Sequence, residues 1–156
     1  MSHAFTPVPA KILVVFCLVA ACTSSTPAPS ASLSIGGSCT KQIAGKLVDD
    51  FFAAWNARDA GRVAGLVSPD FSLHDSVGGK TRDLVGRDDL LRYLAERFAL
   101  EERFASLQAA IPENPSSSSA NPTASFVRTV GGTTYRGNAK LVCANNVLIA
   151  VVMSAE

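Results

Sequence analysis

The chain has 156 residues, of which 14 are Lys or Arg and 13 are Asp or Glu, so its formal net charge at pH 7 is +1. The basic residues are spread along the chain and are not interleaved with aromatic residues, which argues against nucleic acid as a partner. The sequence has no Gly-rich phosphate-binding loop, and we expect no cofactor.

The first feature in chain order is a short apolar run, Ile12 to Ala21, preceded by the basic residue Lys11. The run is too short for a membrane-spanning helix, which needs about 20 apolar residues, and is typical of a secretory leader. It ends in Val-Ala-Ala-Cys, which resembles the lipobox of bacterial lipoproteins. We therefore expect residues 1–21 to be a signal peptide and Cys22 to carry a lipid anchor at the extracytoplasmic face of the cell membrane. An ordinary signal peptide cut near Ala21 and an uncleaved anchor are the alternatives.

The segment after the leader, residues 22–38, is rich in Ser, Thr, Ala and Pro. Such a composition buries too little apolar surface to fold, and it predicts a flexible tether. The rest of the chain, residues 39–156, has the length of one ordinary domain. Loss of Lys11 with the leader would leave this mature protein with no formal net charge.

Two cysteines remain in the predicted domain, because Cys17 lies in the leader and Cys22 would carry the lipid. In an exported protein such a pair favours a disulfide, here between Cys39 and Cys143, with two free thiols as the alternative. We expect no metal site, since His74 alone is available to join the two cysteines as a zinc ligand.

The domain begins with helical patterns. An apolar stripe that recurs every four residues predicts an amphipathic helix over 41–57, with Thr40 as its N-cap. Asp59 is the expected N-cap of a shorter second helix, which Ser68-Pro69-Asp70 would break. A third helix is predicted after Gly86, with acidic residues in its first turn.

Strand patterns follow. Alternation predicts a strand over 71–77, closed by a turn at Gly78-Gly79-Lys80. The later predicted elements are a strand over 102–111, an exposed loop over 112–122, and strands over 123–130, 133–144 and 147–154. Gly131-Gly132 and Asn145-Asn146 separate the last three strands and are hairpin-turn signals.

This order of elements predicts an α+β domain with helices packed on one face of an antiparallel sheet. Leu47–Asp59 resembles the opening helix of the SnoaL-like, nuclear transport factor 2-like superfamily, and Ser68–Phe71, Gly86–Leu90 and the terminal hairpins follow in the matching order. The resemblance implies a cone: a curved antiparallel sheet wrapped around about three helices and enclosing an apolar pocket. The Ala and Thr content also resembles that of actinobacterial proteins.

Enzymes of the superfamily place a carboxylate base in the apolar cone, and Asp75 is the candidate that this resemblance implies. It shares a strand face with Phe71 and Leu73, so it points into the pocket if that face is the core face. Alternatively, Asp75 bonds the following Gly-Gly turn. His74, the second candidate base, lies on the opposite strand face between two serines, which favours solvent, so at most one of the two lines the pocket.

Aromatic residues are the other candidates for lining the pocket, although helical stripe residues also serve as plain core. Arg128 shares a strand face with Phe126 and Val130, and inside the cone it would indicate an acidic ligand or a buried ion pair. An exposed strand position is the alternative for it. Arg92 and Arg97 are expected on the solvated face of the third helix. The full set of predicted pocket residues is Trp55, Tyr93, Phe98, Phe126, Arg128 and Tyr135.

The chain between Glu113 and Glu156 contains no Asp, Glu or His. Catalytic members of the superfamily commonly take a carboxylate from these late strands, so its absence favours binding over catalysis. We expect the domain to bind a small apolar ligand or a protein partner. The alternatives are a SnoaL-like isomerase or cyclase that uses Asp75 or His74 as general base, and a structural accessory of an envelope complex. The sequence leaves the oligomeric state open, a homodimer included.

Overall fold

The computed structural model describes residues 39–112 and 119–156. The predicted signal peptide, the predicted lipidation site Cys22, the predicted tether and most of the serine run in the predicted loop lie outside these residues. Within the described residues there are three helices and seven strands. In chain order they are α1 (Lys41–Asn56), α2 (Ala60–Gly65), β1 (Val67–Val77), β2 (Lys80–Val85), α3 (Arg87–Ala99), β3 (Arg103–Ala110), β4 (Ser119–Ala120), β5 (Thr123–Val130), β6 (Thr133–Ala144) and β7 (Val147–Ala155).

The first two helices begin at the predicted N-caps. The Thr40 hydroxyl accepts a hydrogen bond from the Ile43 N–H, and the Asp59 carboxylate accepts one from the Arg62 N–H at 2.8 Å. Both bonds satisfy backbone donors that have no partner within the helix. No helix in the described part of the chain is both long and apolar enough to cross a membrane.

Six strands form the sheet in the order β2-β1-β7-β6-β5-β3, and β4 pairs separately with β6. All pairs are antiparallel except β1 with β7, which run parallel. The helices cover one face of this curved sheet. The predicted α+β class and the cone-shaped curved sheet are confirmed.

Three hairpins close through two-residue turns with positive φ at both positions: Gly78-Gly79, Gly131-Gly132 and Asn145-Asn146. This is the backbone geometry of the turns that match the right-handed twist of paired strands. All three positions were predicted as turns, and the strands on either side of the last two turns have nearly the predicted limits.

Three local features differ from the predictions. The edge strand β2 was not predicted, because most of its residues are exposed and it has no apolar alternation. Strand β1 starts at Val67 and runs through Pro69, at an irregularity in its pairing with β7, where a missing N–H is tolerated. The predicted exposed loop over 112–122 contains the short strand β4, and Ala120 of this strand is buried.

The interior of the cone is filled by aromatic side chains from α1, β3 and β5. The Trp55 and Phe104 ring centroids lie 5.5 Å apart, and those of Phe104 and Phe126 lie 5.0 Å apart. Phe52 packs against both phenylalanines, and Phe51 against Trp55. These edge-to-face and tilted arrangements are favoured by the ring quadrupoles.

A disulfide joins Cys39 to Cys143, as predicted, with 5.9 Å between the two Cα atoms. Both cysteines are fully buried. The bond ties Cys39, the residue before the N-cap of α1, to β6, and therefore holds the start of the first helix against the sheet.

Candidate functional site

Asp75 lies on the concave face of the sheet, which is the face that the helices cover. Strand alternation in β1 places it there beside Phe71 and Leu73. All three residues are buried, and Asp75 is 1% exposed. Of the two arrangements that the sequence allowed, a carboxylate bonded to the Gly-Gly turn and one pointing into the cone, the structure has the second.

Arg128 reaches Asp75 across the interior from β5. Its Nη1 donates to Asp75 Oδ1 at 2.5 Å and its Nη2 donates to Oδ2 at 2.6 Å. This two-pronged pairing matches the planar guanidinium to the planar carboxylate. The guanidinium carbon also lies 5.3 Å from the centre of the Phe104 ring. Arg128 is therefore part of a buried ion pair, one of the roles that the sequence left open for it.

Glu102 is the second carboxylate partner of Arg128, and sequence reasoning missed it. Its Oε1 accepts from Arg128 Nε at 3.0 Å, and the residue is fully buried. Just after helix α3, Glu101 has a φ of 53°. The N–H groups of Glu101 and Glu102 donate to the carbonyls of Phe98 and Arg97, respectively. This is a Schellman ending, and it turns the chain so that Glu102 enters the interior.

Two residues of α3 complete the cluster. Arg97 donates from Nε to Glu102, and the Tyr93 hydroxyl donates to Asp75 Oδ2. Only 11% of the Arg97 side chain is exposed, so it does not lie on the solvated helix face where the sequence predicted it. The cluster contains two guanidinium groups and two carboxylates, so its formal charge is zero.

Burial and neighbouring charges together set the pKa values of Glu102, Arg128 and Tyr93. Burial raises the pKa of the Glu102 carboxyl, and the guanidinium groups of Arg128 and Arg97 offset that effect only in part. Burial also disfavours the charged form of Arg128, but the hydrogen bonds and charge of Asp75 outweigh it and raise the pKa of Arg128. Burial and the Asp75 charge raise the pKa of Tyr93, so its hydroxyl remains a proton donor in a hydrogen bond.

His74 lies on the outer face of the sheet, and 46% of its side chain is exposed. Its Nδ1 is 2.6 Å from Asp83 Oδ1 on the neighbouring strand β2. The structure thus places His74 and Asp75 on opposite faces. His74 cannot act on a molecule held inside the cone.

The predicted pocket residues occupy three kinds of position. Trp55 and Phe126 are buried in the aromatic interior, and Tyr93 is buried against Asp75. Phe98 and Tyr135 are partly buried and pack at the edge of the core. The Tyr135 ring lies close against Gly78, in space that a side chain there would occupy. These residues therefore form a continuous packed core with the ion cluster at one end.

A recess of about 310 Å³ opens beside the ion cluster. Its floor includes Asp75 and Tyr93, and its rim is formed by β2 and the second half of α3. The recess lies at the end of β1 that carries the Gly78-Gly79 turn, whereas Cys143 lies toward the opposite end of the sheet.

Residues 48–141 match the sequence profile of the SnoaL-like domain. The match covers more than half of the chain, and the chain therefore belongs to the SnoaL-like domain family. No curated protein matches the chain in sequence.

Solved structures share the fold at low sequence identity. A protein of unknown function with a cystatin-like fold from Methylobium petroleophilum superposes with a TM-score of 0.64 at 9% identity, over 76% of this chain and 79% of that one. A ketosteroid isomerase-like protein from Erwinia carotovora atroseptica gives 0.52 at 16%, over 73% and 94%. The Orange Carotenoid Protein of Anabaena (Nostoc), in a structure binding canthaxanthin, gives 0.58 at 13%, over 69% and 35%. At these identities the likeness shows the fold alone.

Proposed function

We propose that this protein is a bacterial lipoprotein, anchored by Cys22 at the extracytoplasmic face of the cell membrane, whose SnoaL-like domain binds a ligand or partner without catalysing a reaction. The anchor is inferred from the apolar run and the lipobox-like ending of the leader. The absence of catalysis is inferred from one observation, the engagement of both Asp75 oxygens.

A general base needs a lone pair that a substrate proton can approach. In Asp75, Oδ1 accepts from Arg128 and Oδ2 accepts from both Arg128 and Tyr93. The carboxylate is buried behind these donors, which occupy three of its roughly four lone-pair sites, so open access for a substrate proton would require the two-pronged ion pair to break. Such a pair is costly to break, because it leaves a buried charge uncompensated.

Because aromatic side chains fill the interior of the cone, a ligand or partner is expected to bind at its surface. Trp55, Phe104 and Phe126 occupy the space in which a cone of this fold could hold an apolar molecule. The Orange Carotenoid Protein is solved with canthaxanthin bound, so the fold is compatible with an apolar ligand. In this chain a ligand or partner would bind at the open end of the cone, where the recess lies beside the ion cluster.

A SnoaL-like enzyme that uses Asp75 is the second candidate function. The observation that favours it is the position of this buried carboxylate and the Tyr93 hydroxyl at the floor of a recess. A positioned carboxylate and a hydrogen-bond donor are the minimum for proton transfer next to a carbonyl.

The two functions predict different outcomes for molecules that co-purify with the native protein. We expect mass spectrometry of the protein isolated from membranes to detect a bound molecule that stays chemically unchanged on prolonged incubation with fresh protein. Conversion of that molecule into an isomer or a cyclised product, absent from a heat-inactivated control, would establish the enzyme instead.

Replacing Cys22 with Ser is expected to release the protein from membranes and to abolish its labelling by a fatty-acid analogue, because the thiol that carries the lipid is lost. Fractionation of cells and metabolic labelling measure the two effects. Cys17→Ser is the matched control: it removes a thiol within the leader and should leave anchoring and labelling intact. A Cys22→Ser protein that stays labelled and membrane-bound would refute the lipoprotein assignment.

A further inference from the structure

We propose that the recess at the open end of the cone, between β2 and α3, binds a small organic monoanion: a single carboxylate carried on a compact apolar body. The inference rests on the proposed function, in which the domain binds without catalysis, and it names the chemical class of the ligand.

The concave face changes from apolar to basic along the β1–β2 pair. Leu73 is paired with Leu84, Asp75 with Arg82, and Val77 with Lys80. Directly paired residues share a face of the sheet, so Lys80 and Arg82 belong to the same concave face as the buried Leu73 and Asp75. Both basic residues are exposed and line the recess.

The carboxylates that line the recess already have cationic partners. Glu96 pairs with Arg82 at 2.9 Å, and Asp75 pairs with Arg128 from the interior. Lys80, in contrast, forms no ion pair with any of the described residues. The recess therefore has one surplus positive charge, which matches a ligand with a single negative charge.

Arg97 supplies a second unmatched donor on the recess wall. Its Nε is bonded to Glu102, but its buried Nη2 has no hydrogen-bond partner within the described residues. Leaving a buried donor unpaired is costly. A carboxylate in the recess would pair with Lys80 at the rim, and Arg97 Nη2, which is buried, would have to turn toward the recess to reach it.

The size and walls of the recess limit the body of the ligand. A volume of about 310 Å³ lies at the lower end of the range for small-molecule sites. Val77 and the Tyr93 ring provide apolar wall between the charged groups. A compact ring or short chain fits this combination, whereas a long apolar molecule does not.

The test is a titration of the full-length protein with three carboxylates, benzoate, cyclohexanecarboxylate and hexanoate, followed by calorimetry and by amide NMR shifts. We expect at least one to bind saturably and to shift the signals of Lys80 and Arg97. Benzyl alcohol, which lacks the charge, should bind at least about tenfold more weakly than benzoate, a difference of about 1.4 kcal/mol. Failure of all three anions to bind, or equal binding of benzyl alcohol, would overturn the proposal.

Variants of Lys80, with a variant of Lys140 as the control, locate the site. Lys80→Met should weaken the best anion at least about tenfold, Lys80→Arg should keep most of the affinity, and Lys140→Met, on the outer face of β6, should change nothing. An unchanged affinity in Lys80→Met would also overturn the proposal. These outcomes are independent of membrane anchoring and of the incubation of co-purified molecules, which test the proposed function separately.

Discussion

Asp75→Asn is expected to destabilise the domain by about 3–5 kcal/mol, the usual cost of removing one partner of a buried ion pair. The cluster of Asp75, Arg128, Glu102 and Arg97 is electrically neutral as it stands. The amide would leave a surplus positive charge in the interior and would turn an NH₂ group toward the guanidinium of Arg128. Urea unfolding at neutral pH measures the loss.

The effect should depend on charge balance and not on Asp75 as such. In the double variant Asp75→Leu, Arg128→Met one charge of each sign is removed, and the Glu102–Arg97 pair remains. We therefore expect this variant to regain most of the lost stability, because apolar residues often replace a buried pair at little cost. Asp83→Asn, which removes an exposed carboxylate paired with His74, should cost less than about 1 kcal/mol. Equal stability of Asp75→Asn and the native protein would contradict the ion-pair description.

Replacing both Cys39 and Cys143 with Ala is expected to lower the free energy of unfolding by about 4–5 kcal/mol, since the bond closes a long loop in the unfolded chain. The two residues are 104 positions apart. The loss is comparable to the whole stability of a marginal domain, so the variant should unfold at much lower urea concentration than the native protein.

A reductant provides the control for the disulfide. Native protein unfolded and refolded with dithiothreitol should reach a stability close to that of the double alanine variant, on which dithiothreitol itself should have no effect. If thiol titration of the denatured, non-reduced protein finds both Cys39 and Cys143 free, the disulfide is absent and the prediction fails.

Most of the fold could be predicted from local patterns in the sequence. Each of these patterns lies within a short stretch of sequence. Examples are the apolar stripe of α1, the N-caps Thr40 and Asp59, and two-residue turns such as Asn145-Asn146. These signals depend on backbone geometry and helical spacing, and in this domain the tertiary contacts agree with them. The edge strand β2 lacks such a signal, because an edge strand with charged side chains has no buried face to pattern.

The candidate site could be predicted in part. Alternation correctly placed Asp75 on the apolar face of β1 and Arg128 beside Phe126, and allowed a buried ion pair. Glu102 was missed because its inward turn depends on a left-handed Glu101, where a glycine would have been the recognisable signal. One indication was present: Glu102 precedes the buried Phe104 by two residues, and so shares its strand face.

The position of β7 has a consequence for how the domain acquires its structure. This strand lies in the middle of the sheet, between β1 and β6, although the chain reaches it after the other described strands. Leu73 pairs with Val151, about 80 residues later, and such distant pairing slows folding. In the exported protein proposed above, a chain that leaves the cytoplasm unfolded would therefore be unable to complete the sheet until Val147–Ala155 has emerged.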